Sequence, residues 1–161
     1  KPGFFHMGGQ SGPIGFPEQL DTPYTYETLA PKGLAVGSGA IVVLDDSVCI
    51  VEYIQKVFEF FVHESCGKCT PCRLGTTRIL ELLTDFVEGR AKDGDVERLE
   101  YMARQVSQLS ACGLGQSVNV ALMSALRHRR GDFEAHINGG ACPAGACACH
   151  ENGRNKACLT I

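Results

Sequence analysis

Three cysteines at C-x2-C-x2-C spacing, Cys66, Cys69 and Cys72 in Cys66-Gly67-Lys68-Cys69-Thr70-Pro71-Cys72-Arg73, constrain this chain more than any other feature. A fourth, Cys112, follows forty residues after Cys72 in Ala111-Cys112-Gly113-Leu114-Gly115. Three thiolates within one turn and one delivered by folding suit a compact polynuclear centre, and a cubane [4Fe-4S] cluster needs four cysteine sulfurs around it. Zinc is the competing reading. Structural zinc sites draw their cysteines from two separated pairs, a pattern in which the third cysteine of this run has no place.

Composition narrows the class. The 161 residues are 44% hydrophobic with a net charge of −3, which fits one or two small globular domains and disfavours nucleic acid or an anionic membrane as the main partner. Nine cysteines is an odd number for a disulfide framework, and their clustering points to metal ligation in a reducing compartment, so a cytoplasmic location is expected. No run approaches the length of a membrane span, so no direct membrane insertion is expected. The glycine-rich start lacks the basic and apolar regions of a signal peptide. Lys1 opens on loop-like sequence, and the chain is expected to be part of a longer polypeptide.

Residues 1 to about 32 are rich in glycine and proline, with turn signals at Gly8-Gly9 and Ser11-Gly12-Pro13. Gly39-Ala40-Ile41-Val42-Val43-Leu44, ended by Asp45-Asp46, predicts a buried strand, the remainder of a small β-containing domain. Helical spacing then takes over. Ile50, Ile54, Val57, Phe58 and Phe61 predict a first helix capped by Asp45, Asp46 or Ser47. Thr70 as N-cap with Pro71 behind it predicts a second helix, with Ile79, Leu82, Leu83 and Phe86 as its stripe and Gly89 as its end. A third is predicted from about Asp95 through Leu99, Met102, Val106 and Leu109, and a fourth from Ser117 through Val118, Ala121, Leu122, Ala125 and Leu126.

Four amphipathic helices with short links predict a bundle whose stripes are core. The cysteines fall at its helix ends, where unpaired N–H groups favour an anionic cluster. Lys68 and Arg73 add positive charge, unless they are plain surface residues. Gly67, Gly113 and Gly115 either admit close approach of the backbone to inorganic sulfide or serve as turns.

The residues Ser65 to Arg73 with Cys112-Gly113-Leu114-Gly115-Gln116 resemble the C-terminal [4Fe-4S] domain of the family of NADH-binding flavoprotein subunits. That family includes subunits of respiratory complex I, NAD-linked and electron-bifurcating hydrogenases and formate dehydrogenases. Upstream, Gly8-Gly9-Gln10-Ser11-Gly12 and Leu20-Asp21-Thr22-Pro23 are similar to its β-grasp (soluble-ligand-binding) domain. The resemblance implies an α+β chain: a β-grasp remnant over 1–44, a four-helix bundle carrying the [4Fe-4S] cluster over 45–132, and a cysteine-rich tail over 133–161. It also implies a one-electron relay between a flavin and other iron-sulfur subunits, with FMN and NAD(H) held by an N-terminal domain outside this sequence. No G-x-G-x-x-G loop occurs, so the chain by itself is not expected to be catalytic.

His136, Cys142 and Cys147 supply one imidazole and two thiols within twelve residues, three quarters of a tetrahedral zinc site that Cys49 would complete. The Cys-Pro-Ala-Gly-x-Cys segment resembles hydrogenase-type flavin subunits, in which a metal here ties the bundle to a C-terminal extension. The alternative is Cys49 as a small buried hydrophobe and an unligated tail. Cys142, Cys147 and Cys149 miss the plant-type [2Fe-2S] spacing by one residue, and with Cys158 they do not make a second cluster. His6, His63, His128 and His150 are expected to be structural or surface groups. The opposing reading of the whole chain is a structural, zinc-holding helical scaffold for partner binding, which has no use for Cys72.

Overall fold

A computed structural model of the chain describes residues 1–147. Its first layer is a three-stranded antiparallel sheet of order β2-β1-β3, formed by β1 (Pro2–Met7), β2 (Ile14–Gly15) and β3 (Ile41–Asp45). The alternation of β1 sorts its side chains. Phe4 joins the main core and His6 bonds to Tyr53 of the next layer, whereas Phe5 and Met7 pack with Leu29 and Leu34 in a smaller cluster. Leu29 belongs to a short helix, α1 (Tyr26–Leu29), capped by Thr25. At Gly3 the strands approach so closely that a β-carbon would stand 2.6 Å from the carbonyl oxygen of Asp45.

The β-branched run at β3 is not buried, contrary to its pattern. Ile41, Val42 and Val43 are 50, 51 and 60% exposed, and only Leu44 packs against the main core. β3 is an edge strand, and an apolar run has the same appearance whether or not another layer covers it.

Four long helices follow among the described residues: α2 (Ile50–Glu64), α3 (Thr70–Val87), α4 (Asp95–Leu109) and α6 (Asn119–Glu134), with a single turn, α5 (Gly113–Gln116), between the last two. α2 packs on α3 and α6, and α4 on α3 and α6. Their stripes meet in one core in which Phe58, Phe61, Phe86 and Phe133 are fully buried. Each such side chain contributes roughly 1.5–3 kcal/mol of apolar burial. The sheet is fastened to α6 where the Ile14 N–H donates to the Ser124 hydroxyl at 2.8 Å.

Helix ends differ from the sequence expectations in instructive ways. The N-cap of α2 is Cys49, which makes no capping bond; Asp45 instead accepts from the Ser47 N–H and hydroxyl, closing a turn ahead of the helix. α3 begins at Thr70 with Cys69 as N-cap, one residue earlier than the threonine cap expected. The fourth predicted helix is split, α5 ending before Ser117 and α6 starting at Asn119, while Val118 between them is fully buried as expected. Leu109, placed by its period in the core stripe, is 63% exposed because the last turn of α4 borders a surface groove against α3.

Candidate metal centres

The loop from Ser65 to Cys69 leaves α2, turns at Gly67 in the left-handed region (φ +74°) and enters α3. Arg73 braces that turn by donating to the Gly67 carbonyl at 3.3 Å. Cys69 is the N-cap of α3 and Cys72 lies in its first turn; Cys112 is the N-cap of α5. Cys72 is buried, Cys69 half-buried, and Cys66 and Cys112 exposed.

The two loops meet. The Cys69 sulfur accepts from the N–H of Ala111 and of Cys72, and with added support from the Ser110 hydroxyl these bonds hold its thiol below the ordinary value against partial burial. At Gly115 a β-carbon would stand 2.3 Å from the Ser110 hydroxyl oxygen and 3.2 Å from the β-carbon of Cys72. A β-carbon at Gly113 would meet no protein atom within 4 Å, so the two glycines have different surroundings. The Ser65 hydroxyl lies 3.4 Å from the Cys72 sulfur. Backbone and hydroxyl donors aimed at cysteine sulfur are what an anionic thiolate-ligated cluster requires.

The second group lies at the opposite end of α2. Cys49, His136, Cys142 and Cys147 are 2, 0, 7 and 1% exposed, and their donor atoms all lie within 4.8 Å of one another. Nε2 of His136 is 3.5 Å from the Cys49 sulfur and 3.4 Å from the Cys147 sulfur. Sulfurs at about 2.3 Å and a nitrogen at about 2.0 Å from one tetrahedral ion stand about 3.5–3.8 Å apart. The donor set therefore fits a single zinc ion.

Local structure explains the convergence. α6 ends at Glu134, His136 follows two residues later, and Asn138 (φ +56°) and Gly139 (φ +70°) reverse the chain. The Asn138 N–H donates to the Ala91 carbonyl at 2.8 Å, and the Gly145 N–H to the Cys142 carbonyl at 2.9 Å, folding 142–147 back over the start of α2. His136 Nδ1 donates to the Asp132 carbonyl at 2.6 Å, which directs Nε2 at the sulfurs. Burial disfavours a charged imidazole here, yet the Cys49 sulfur and Asp132 carbonyl outweigh it and raise His136 to about 9. The neighbouring Cys49 sulfur and burial together push Cys142 up to about 12. Without a cation the cluster holds protons that a divalent ion would displace.

Of the other histidines, His6 is buried between the Tyr53 hydroxyl and the Gly12 carbonyl, His128 stacks on Phe16 beside Glu18, and His63 is exposed beside Glu64. The expectations for Cys149, His150 and Cys158 lie outside the described residues. Sequence reasoning missed the Ala111 N–H as a donor to Cys69 and the carbonyl of Asp132, because main-chain groups carry no side-chain signal, and it missed the Ser110 hydroxyl, because a lone serine forty-one residues from Cys69 has no spacing that ties it to that sulfur.

Residues 52–136 match the family described as the NADH-ubiquinone oxidoreductase-F iron-sulfur binding region, and the chain belongs to that family. It is 37% identical over 140 residues to the F subunit of the NADH-quinone oxidoreductase of Streptomyces coelicolor, covering 87% of this chain and 31% of that protein. It is 35% identical over 140 residues to the HndC subunit of the NADP-reducing hydrogenase of Solidesulfovibrio fructosivorans, covering 87% of this chain and 29% of that one. The crystal structure of an NAD+-reducing [NiFe]-hydrogenase in the air-oxidized state superposes with a TM-score of 0.75 at 32% identity, over 85% of this chain and 24% of that chain. The chain thus spans about a third of the length of the curated relatives it matches. The family match includes Cys66, Cys69, Cys72, Cys112 and His136, and stops short of Cys49, Cys142 and Cys147.

Proposed function

We propose that the chain is the one-electron relay of an NAD(H)-dependent oxidoreductase complex of hydrogenase or complex I type in the cytoplasm, with Cys66, Cys69, Cys72 and Cys112 holding a [4Fe-4S] cluster. The observation that carries the reading is the meeting of the two cysteine loops, in which the Cys69 sulfur accepts from the Ala111 N–H. When bound, the cluster takes up and releases one electron at a time. The protein supplies the rest. Ala111, Cys72 and Ser110 offer hydrogen bonds that stabilise negative charge on sulfur, the N-terminus of the 18-residue α3 adds its dipole, and burial of Cys72 limits water on one side. Electrons arrive from a flavin reduced by NADH in a domain outside this sequence and leave for an iron-sulfur centre of another subunit.

Cys49, His136, Cys142 and Cys147 would hold a zinc ion of structural role, since zinc has no redox chemistry of its own. Its place between α2 and the segment after α6 makes it a clip. Anaerobically purified protein should be brown, bleach on adding dithionite, and contain four irons with one zinc per chain. Colourless protein carrying zinc alone would establish the scaffold reading instead.

A further inference from the structure

Two serine hydroxyls stand against the cysteine sulfurs that water reaches least. Cys66 and Cys112 are exposed, so solvent can hydrogen-bond their sulfurs, whereas Cys72 is buried and Cys69 half-buried. The Ser65 hydroxyl lies 3.4 Å from the Cys72 sulfur, and the Gly67 N–H is aimed at the same hydroxyl oxygen, also at 3.4 Å. An oxygen that accepts from Gly67 keeps its own proton free, so the Ser65 O–H is left to donate to sulfur.

Ser110 stands in the same relation to Cys69, with one difference. It is 5% exposed, and its hydroxyl proton has two acceptors: the Val106 carbonyl, to which it donates at 2.6 Å, and the Cys69 sulfur. The Val106 carbonyl also accepts from the Ser110 N–H at 3.1 Å, so it keeps a partner when the hydroxyl turns away. Rotation about one C–O bond therefore carries the proton from carbonyl to sulfur and leaves no buried group orphaned. Gly115 provides the space for this side chain, since a β-carbon there would stand 2.4 Å from that of Ser110. The Ser107 hydroxyl, on the same helix, donates to the Gln116 carbonyl instead. Reduction by one electron places more negative charge on ligand sulfurs, where an O–H dipole stabilises more than it does at a neutral carbonyl.

We propose that Ser65 and Ser110 are positioning residues for the electron relay, which set its potential by holding their hydroxyls on the Cys72 and Cys69 sulfurs in the reduced state. Ser65 is in place in both redox states. Ser110 is the responsive one, leaving Val106 for Cys69 as charge accumulates on sulfur. No covalent bond changes, and neither serine gives up its proton. Donors to sulfur favour the more negative state, so the two hydroxyls raise the midpoint potential and make the relay a better acceptor from the flavin. The proposal rests on the relay reading, with Cys69 and Cys72 as ligands.

The test is a redox titration of the anaerobically purified full-length protein, followed by electron paramagnetic resonance. Ser65→Ala and Ser110→Ala are compared with Ser65→Thr, which keeps a hydroxyl, and with Ser107→Ala, which removes one that serves a carbonyl. Ser65→Ala and Ser110→Ala should each shift the electron-exchange equilibrium about tenfold toward the oxidised form, a midpoint about 59 mV more negative for a one-electron couple. Iron content should be unchanged, and Ser65→Thr and Ser107→Ala should titrate with the parent. Should Ser110→Ala lose its iron, Ser65→Ala and Ser65→Thr decide alone. Parent-like midpoints in iron-replete Ser65→Ala and Ser110→Ala would overturn the proposal, as would an equal shift in Ser107→Ala, the mark of a general loosening around the loops. The relay reading has its own outcome: a parent protein with no iron signal that dithionite can reduce removes the relay, and the proposal with it.

Discussion

The Cys49 sulfur lies 3.5 Å from Nε2 of His136, a residue 87 positions further along the chain. That contact joins the first turn of α2 to the segment leaving α6, so the two ends of the helical part are held at one point. Both groups are buried, and Cys49 shares its core with the phenylalanines of α2, α3 and α6.

Removal of this clip should be local. Cys142→Ala is expected to lose the zinc and to speed proteolysis after residue 138 severalfold, since a glycine-rich segment has little apolar surface of its own with which to stay docked. The visible iron-sulfur spectrum should be unchanged. Elemental analysis and limited digestion check both parts, and zinc retained at one per chain in Cys142→Ala would contradict the ligand set.

At the other centre, Cys112→Ser is expected to lower iron content to a small fraction of the normal value and to destabilise the helices, because cluster binding and folding are coupled. Full iron occupancy in this variant would remove Cys112 from the ligands.

Two glycines of α5 separate packing from ligation. Gly115→Ala places a β-carbon 2.3 Å from the Ser110 hydroxyl oxygen, and should cost about 1–3 kcal/mol even in iron-free protein. Gly113→Ala meets no protein atom within 4 Å, so its iron-free form should unfold at the same denaturant concentration as the parent. Reduced iron binding by Gly113→Ala alone would then report on the space beside Cys112.

His6 gives the pH dependence. Burial lowers its pKa below the ordinary 6.5, in spite of the Gly12 carbonyl, so the folded protein keeps it neutral while the unfolded chain takes a proton. The sign follows: stability is fully present above pH 6.5 and is lost as pH falls through that value toward the depressed one. Denaturant midpoints measured at neutral and at mildly acidic pH should differ more in the parent than in His6→Phe. Tyr53→Phe, which deprives His6 of the hydroxyl 2.9 Å away, should cost about 1–2 kcal/mol at neutral pH.

The positions of α2, α3 and α4 were legible in the residues, because a 3.6-residue apolar period over fifteen or more residues has few other solutions. The break at Ser117 and Val118 was not, since Val118 keeps the period while the backbone around it is set by the turn of α5. β3 misled for a related reason: Ile41, Val42 and Val43 state a preference for extended backbone, and nothing in them states what covers the strand.

By itself the sequence determined what is local: a cysteine-bearing loop that runs into the first turn of α3, and the apolar stripes of α2, α3 and α4. Only the tertiary structure decided the distant meetings, among them Cys69 with Ala111, Cys49 with His136, and Leu74 with Tyr101 and Leu109 across the groove. The physical reason is range. Spacing along a chain fixes neighbours within a few residues, whereas contacts dozens of residues apart depend on how whole helices dock, which is a property of the assembled core.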